Sequence, residues 1–200
     1  MEQFYRSTGA LEAIARKILK EYDPALLFGP PQAVPIEKVA KHLGITIEFQ
    51  CIRKNGLILG EMVYDRTYVP LYFRDIKSYE LILVDGGTMF LDESLLRSRD
   101  DGRLNFTCGH ETAHWVLDKN IYAGTGRAAA FVNPKKSSEE NPAVERQANR
   151  LSSMLLLPTP QVKKAFYAVR DKPEPVLRLK EHFQVSKEVM DIFMREHNLI

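Results

Sequence analysis

Two histidines four residues apart, His110 and His114, enclose Glu111 in an apolar stretch, residues 104–117, that no proline interrupts. A helix turns by about 100° per residue, so positions four apart lie about 40° from each other and both imidazoles leave one face. Phe106, Ala113 and Leu117 fall on that side and Trp115 and Val116 extend the apolar surface, which gives the helix something to bury. Glu111 stands about 60° round from His114, placed to take a proton from water without being a ligand itself. Two nitrogen donors, a base and an open coordination position are what metal-assisted hydrolysis needs.

Catalytic zinc commonly has three protein ligands, and in one large class the third is a carboxylate on a second helix downstream. The dipeptide Asn141-Pro142 reads as the start of such a helix, an N-cap followed by proline at the first helical position. Val144, Ala148, Leu151 and Leu155 continue its apolar stripe, and Glu145 belongs to that stripe. A carboxylate on an apolar face costs several kcal/mol unless a cation neutralises it. Glu139 and Glu140 are weaker candidates, because they precede the helix in a Lys-Lys-Ser-Ser-Glu-Glu stretch that reads as a solvated loop. Asn149, one turn after Glu145, is placed to accept a hydrogen bond from the outer nitrogen of a ligating histidine and fix its tautomer; the competing reading is an ordinary polar helix position. The candidate metal ligands are therefore His110, His114 and Glu145, the ion Zn2+, the base Glu111 and the supporting residue Asn149.

The segment from Gly102 through His110-Glu111-Thr112-Ala113-His114 to Leu117, then Glu145-Arg146-Gln147-Ala148-Asn149 and Leu155-Leu156-Leu157-Pro158, resembles the ImmA/IrrE family of metallopeptidases. Residues 35–44 resemble the helix that opens these domains, and the tail from Phe183-Gln184-Val185-Ser186 to Asn198-Leu199-Ile200 resembles their C-terminal end. The resemblance implies zinc ligands His110, His114 and Glu145 with Glu111 as base. It implies an α+β fold in which zincin-like, gluzincin-type helices pack on a small antiparallel β-sheet and finish in a helix-turn-helix-like end. It also implies a protein substrate, a helix-turn-helix transcriptional repressor whose cleavage switches on mobile-element or stress genes. The chain departs from the family at Ala113, where glycine is common, and at Leu151-Ser152-Ser153, where an alanine-rich stretch is common.

Two hundred residues, 44% of them hydrophobic, can bury a real core and suit one domain with a small appendage. No run of eighteen or so apolar residues offers a membrane span, and the N-terminus, with Glu2, Arg6 and Glu12, lacks the pattern of a signal peptide. The expected location is the cytoplasm. Cys51 and Cys108 form no disulfide framework and suit a reducing compartment; Cys108 points about 160° away from His110 on the helix and reads as a small buried hydrophobe. A net charge of +2 with both signs interspersed predicts no strong nucleic-acid binding.

Residues 11–20 repeat apolar positions at helical spacing, and residues 36–43 make a short helix closed by Gly44. Residues 45–52, 57–64 and 67–73 are rich in β-branched and aromatic types and are separated by Asn55-Gly56 and Asp65-Arg66, which predicts antiparallel hairpins. Residues 79–84 complete the sheet, and Asp85-Gly86-Gly87 turns the chain toward a charged segment, residues 92–103. An extended substrate would add to the sheet edge as a strand, a mode inferred chiefly from the family. Residues 120–141 link the two metal helices and read as a surface loop or as a flap over the cleft.

Residues 176–182 and 187–197 are helical patterns joined by Phe183-Gln184-Val185-Ser186, with Ser186 placed to cap the second. Its first turn carries Glu188 and Asp191, which disfavours phosphate contact and favours a packing or substrate-docking element over a DNA reader. The expected organisation is a metallopeptidase domain over residues 1–170 and a helix-turn-helix-like element over residues 171–200 packed on it. His42, His182 and His197 read as helix-surface residues. A second function class stays open, a non-catalytic regulator binding a transcription factor or DNA; Glu111 separates the two, because a binding module needs no base beside two ligands.

Overall fold

Ser7 starts the first helix, its hydroxyl accepting from Ala10 N at 3.3 Å, and α1 (Thr8–Tyr22) buries Leu11, Ala15, Ile18 and Leu19 on one stripe. The computed structural model describes residues 5–97, 101–122, 124, 128–132 and 142–200. A single turn, α2 (Ala25–Phe28), precedes α3 (Ile36–His42), which ends where Gly44 takes a left-handed φ of 81°. Five strands follow: β1 (Thr46–Gln50), β2 (Ile58–Val63), β3 (Thr67–Phe73), β4 (Ser78–Val84) and β5 (Thr88–Asp92). A 3-10 turn, Glu93–Arg97, precedes α4 (Asp101–Tyr122). The chain then forms β6 (Ala128–Val132), α5 (Pro142–Leu156), α6 (Thr159–Val169), α7 (Pro175–Phe183) and α8 (Lys187–Glu196).

The fold is α+β, with the helices packed on a small sheet, but that sheet is mixed rather than antiparallel. Its order is β1-β5-β2-β6; β1 runs parallel to β5, and β2 runs antiparallel to both β5 and β6. The expected hairpins across Asn55-Gly56 and Asp65-Arg66 are absent, although the chain turns at the first and bends at the second. Gly56 N bonds Arg53 O at 3.0 Å, yet β5 inserts between the strands this turn connects. The reason is the length of the return path. The pair β3–β4 is a separate two-stranded hairpin, inserted between β2 and β5. The chain comes back through Gly86 and Gly87, whose left-handed φ of 87° and bond from its N–H to Val63 O at 2.8 Å set β5 beside β2.

Strand β5 went unread in the sequence because a strand buried along its whole length shows no alternation. Asp92, read as the start of a charged segment, is instead a buried strand end: its two carboxylate oxygens accept from Ile52 N at 3.2 Å and Ser94 N at 3.0 Å.

Alternation along β2 divides the core. Met62 joins Met89 and Leu91 against the helices, while Val63 and Phe90 join Ile52, Val69, Leu71 and Val84 beneath the β3–β4 hairpin. Leu179, Phe183, Met190, Phe193 and Met194 of α7 and α8 belong to the same cluster as the α1, α4 and α5 residues. Ser186 caps α8 as expected, accepting from Val189 N at 3.2 Å. The turn before it is wedged against the start of α4: Asn105 Nδ2 donates to Gln184 O at 2.9 Å, and a side chain at Gly102 would collide with the backbone of Val185 and Ser186. Among the described residues, no helix is long and apolar enough to cross a membrane. Asn141, Glu139 and Glu140, and most of the loop expected over residues 120–141, lie outside the described residues.

Candidate metal centre

Helix α4 packs on α5, and Ala113 and Leu117 belong to the same buried core as Ala148, Leu151 and Leu155. Gly109 lets the two helices close: a Cβ there would lie 2.6 Å from Ser152 Oγ. That contact brings the first turn of α5 alongside His110 and His114. Their Nε2 atoms stand 2.9 Å apart; Glu145 Oε2 is 3.2 Å from the first and Oε1 is 3.1 Å from the second. Nitrogen and oxygen ligands about 2.0–2.1 Å from a tetrahedral ion would be about 3.3 Å from one another. The three side chains therefore fit one small divalent cation, and they form a cluster whose ligand atoms lie within 4.8 Å of one another.

Both imidazoles are oriented from behind. His110 Nδ1 lies 2.9 Å from Asn149 Oδ1, which can only accept, so this nitrogen carries the hydrogen and Nε2 presents its lone pair to the centre. His114 Nδ1 lies 3.0 Å from Asp118 Oδ2, with the same consequence. Asn149 thus stands where the helix spacing put it. Asp118 was missed, although a signal existed: a carboxylate one turn beyond the second histidine faces that ring.

Charge in this cluster favours a cation. Burial drives the His110 pKa down, opposed by its bond to Glu145. Burial acts on His114 in the same sense, but its bonds to Asp118 and Glu145 and the charge of Glu111 outweigh it, and the ring is pushed up to about 10, so Nε2 gains its lone pair only when a metal ion displaces the second proton. Glu145 is held well below the usual carboxylate range; burial opposes this, and the bonds from both rings overcome it. Three carboxylates, Glu111, Asp118 and Glu145, thus bear on one imidazole, and a positive ion is their natural counterpart.

Glu111 is fully buried and lies against the backbone of Gly60 in β2. Two positions further along the same face of β2 sits Met62, and two beyond it, just past the end of the strand, Tyr64, the buried one of the eight tyrosines. The Tyr64 ring stacks on Trp115 at 6.2 Å and tilts against Tyr122 at 5.2 Å. Burial first, then the charges of Asp118, Glu111 and Glu145, drive its pKa up, so the hydroxyl keeps its proton as a donor. Cys108, about 160° round α4 from His110, is buried, and burial drives its thiol pKa up. His42 and His182 are exposed and His197 is partly buried at the end of α8.

Residues 77–195 match the family described as Peptidase M78, IrrE N-terminal-like domain. That span includes all of α4 and α5 and the three clustered side chains. A Mycobacterium tuberculosis transcriptional regulator of known structure is similar at 14% identity and a TM-score of 0.47, over 94% of this chain and 48% of that one. This chain therefore spans about half the length of that regulator. No curated protein matches.

Proposed function

Because the chain belongs to the Peptidase M78, IrrE N-terminal-like family, we propose that it is a zinc-dependent endopeptidase that hydrolyses a peptide bond in a helix-turn-helix transcriptional repressor in the cytoplasm, relieving repression of mobile-element or stress genes. The observation that carries the reading is the convergence of three side chains: the Nε2 atoms of His110 and His114 lie 2.9 Å apart, and each is 3.1–3.2 Å from one oxygen of the Glu145 carboxylate, with Glu111 packed beside them.

In this reading His110, His114 and Glu145 hold the ion in a zincin-like arrangement, while Asn149 and Asp118 fix the two rings. When bound, zinc supplies Lewis-acid polarisation and lowers the pKa of water. Glu111 takes the proton of the attacking water at a carboxylate oxygen and delivers it to the departing amine nitrogen. Burial of Glu111 keeps bulk solvent from that exchange. Tyr64 is the candidate for the donor that supports developing negative charge, since its hydroxyl is buried, protonated and on the β2 face toward α4. Residues 1–170 form the peptidase domain, and residues 171–200 form a helix-turn-helix-like element packed on it, which serves packing or substrate docking rather than DNA reading. Support for that assignment comes from the α7–α8 turn, which is wedged against α4.

The test loads the full chain with zinc, incubates it with helix-turn-helix repressors from the same genome and follows cleavage by mass spectrometry. Wild type should cut one of them; Glu111→Gln should keep stoichiometric zinc and lose cleavage by about 10²-fold or more. Cleavage by Glu111→Gln at the wild-type rate would remove the mechanism.

A further inference from the structure

Glycine inside a buried strand weakens it, because it loses the most conformational freedom on folding and packs no side chain. Gly60 is such a residue, in the middle of β2 with Leu59 and Glu61 buried on either side. Its backbone does not need glycine, for it is not among the positive-φ positions. The β2–β6 ladder shifts register between Ile58 and Gly60, but a bulge at ordinary φ accepts any small residue.

What excludes a side chain there is one neighbour. A Cβ on Gly60 would lie 2.6 Å from Glu111 Oε1, 2.7 Å from Cγ and 2.9 Å from Cδ; these are its three nearest atoms. Carbon atoms in contact sit about 3.5–4.0 Å apart, so Glu111 would have to move by about 1 Å to make room. We propose that Gly60 is a positioning residue for Glu111: the bare backbone of β2 is the wall against which the base is held in line with the cluster of His110, His114 and Glu145. The catalytic part of this rests on the peptidase reading; the contact itself does not.

Three consequences separate this role from a merely structural glycine. Gly60→Ala should retain stoichiometric zinc, because the three atoms nearest the new methyl all belong to Glu111 and not to His110, His114 or Glu145. On zinc-loaded enzyme and a fluorogenic mixed-sequence peptide library, it should lower kcat by about 10²-fold, the cost of a misplacement near 1 Å, with KM within about twofold. Its thermal midpoint should fall by about 2–4 °C.

The decisive comparison is the same substitution in the Glu111→Ala background, where Cγ, Cδ and both oxygens are gone. There Gly60→Ala should leave the midpoint unchanged or raise it, because alanine restricts the unfolded chain more than glycine does. An equal loss of midpoint in both backgrounds would assign Gly60 to the bulge and overturn the proposal, as would wild-type kcat in Gly60→Ala. A zinc-loaded wild type that cut no peptide would count against the peptidase reading alone, and the melting comparison would still decide the contact.

Discussion

Asp118 Oδ2 stands 3.0 Å from His114 Nδ1, one helical turn beyond the ring it orients. Both groups are buried, so the carboxylate fixes the tautomer and raises the basicity of Nε2 at the same time. Asp118→Ala should weaken zinc binding by about 10–100-fold, read by competition with a chromophoric chelator. Asp118→Asn, which keeps an acceptor without the charge, should fall between the variant and wild type. Unchanged affinity in both would leave Asp118 with no part in holding metal.

Zinc that binds the folded chain and not the unfolded one stabilises it by about 4 kcal/mol at a free concentration about 1,000 times Kd. For a chain of this size that is a rise in Tm of about 10 °C. Glu145→Ala, which removes the carboxylate standing 3.1–3.2 Å from both Nε2 atoms, should abolish most of the rise, and chelation by EDTA should reverse it in wild type. A full rise in Glu145→Ala would transfer the third ligand to another residue.

Glu61 follows Gly60 in β2, so its side chain leaves the opposite face of the strand, and the buried carboxylate pairs with Arg53 Nη2 at 3.3 Å. Burial raises its pKa above 4.5, more than Arg53 lowers it. The folded state therefore keeps this proton longer than the unfolded state, and stability is lost as pH rises from the unfolded value through the raised folded one. Glu61→Gln removes that dependence. Urea midpoints at pH 4 and pH 7 should show a smaller loss in Glu61→Gln than in wild type; an equal loss would mean that Glu61 ionises as freely folded as unfolded.

Cys108 is fully buried on the side of α4 packed against the core, and burial pushes its thiol pKa up. The thiolate is the reactive form, so iodoacetamide at pH 8 should leave Cys108 unmodified in the native chain and alkylate it in urea. Rapid native alkylation, read by mass spectrometry, would show that α4 opens.

Sequence alone determined whatever depends on distance along one helix. The step from His110 to His114, the placement of Glu111 beside them, the burial of Cys108 and the turn from Glu145 to Asn149 all follow from about 100° per residue. The cap at Ser186 was likewise local. The identity of β3 was local too, since residues 67–73 begin and end where β-branched and aromatic types do, whereas β5 went unread and β6 falls in residues 120–141, which were expected to form a loop. Strand partnership was not. Whether β1 pairs with β2 or with β5 depends on a hairpin excursion of β3 and β4 that hydrophobic pattern does not encode, and β5 itself is short and buried along its length. Tertiary structure also decided which carboxylate reaches the two imidazoles, because the approach of α5 to α4 depends on packing between Gly109 and Ser152. The contact between Gly60 and Glu111 joins a strand to a helix fifty-one positions later. No periodicity spans that separation; only the packed chain brings the missing side chain of one to the carboxylate of the other.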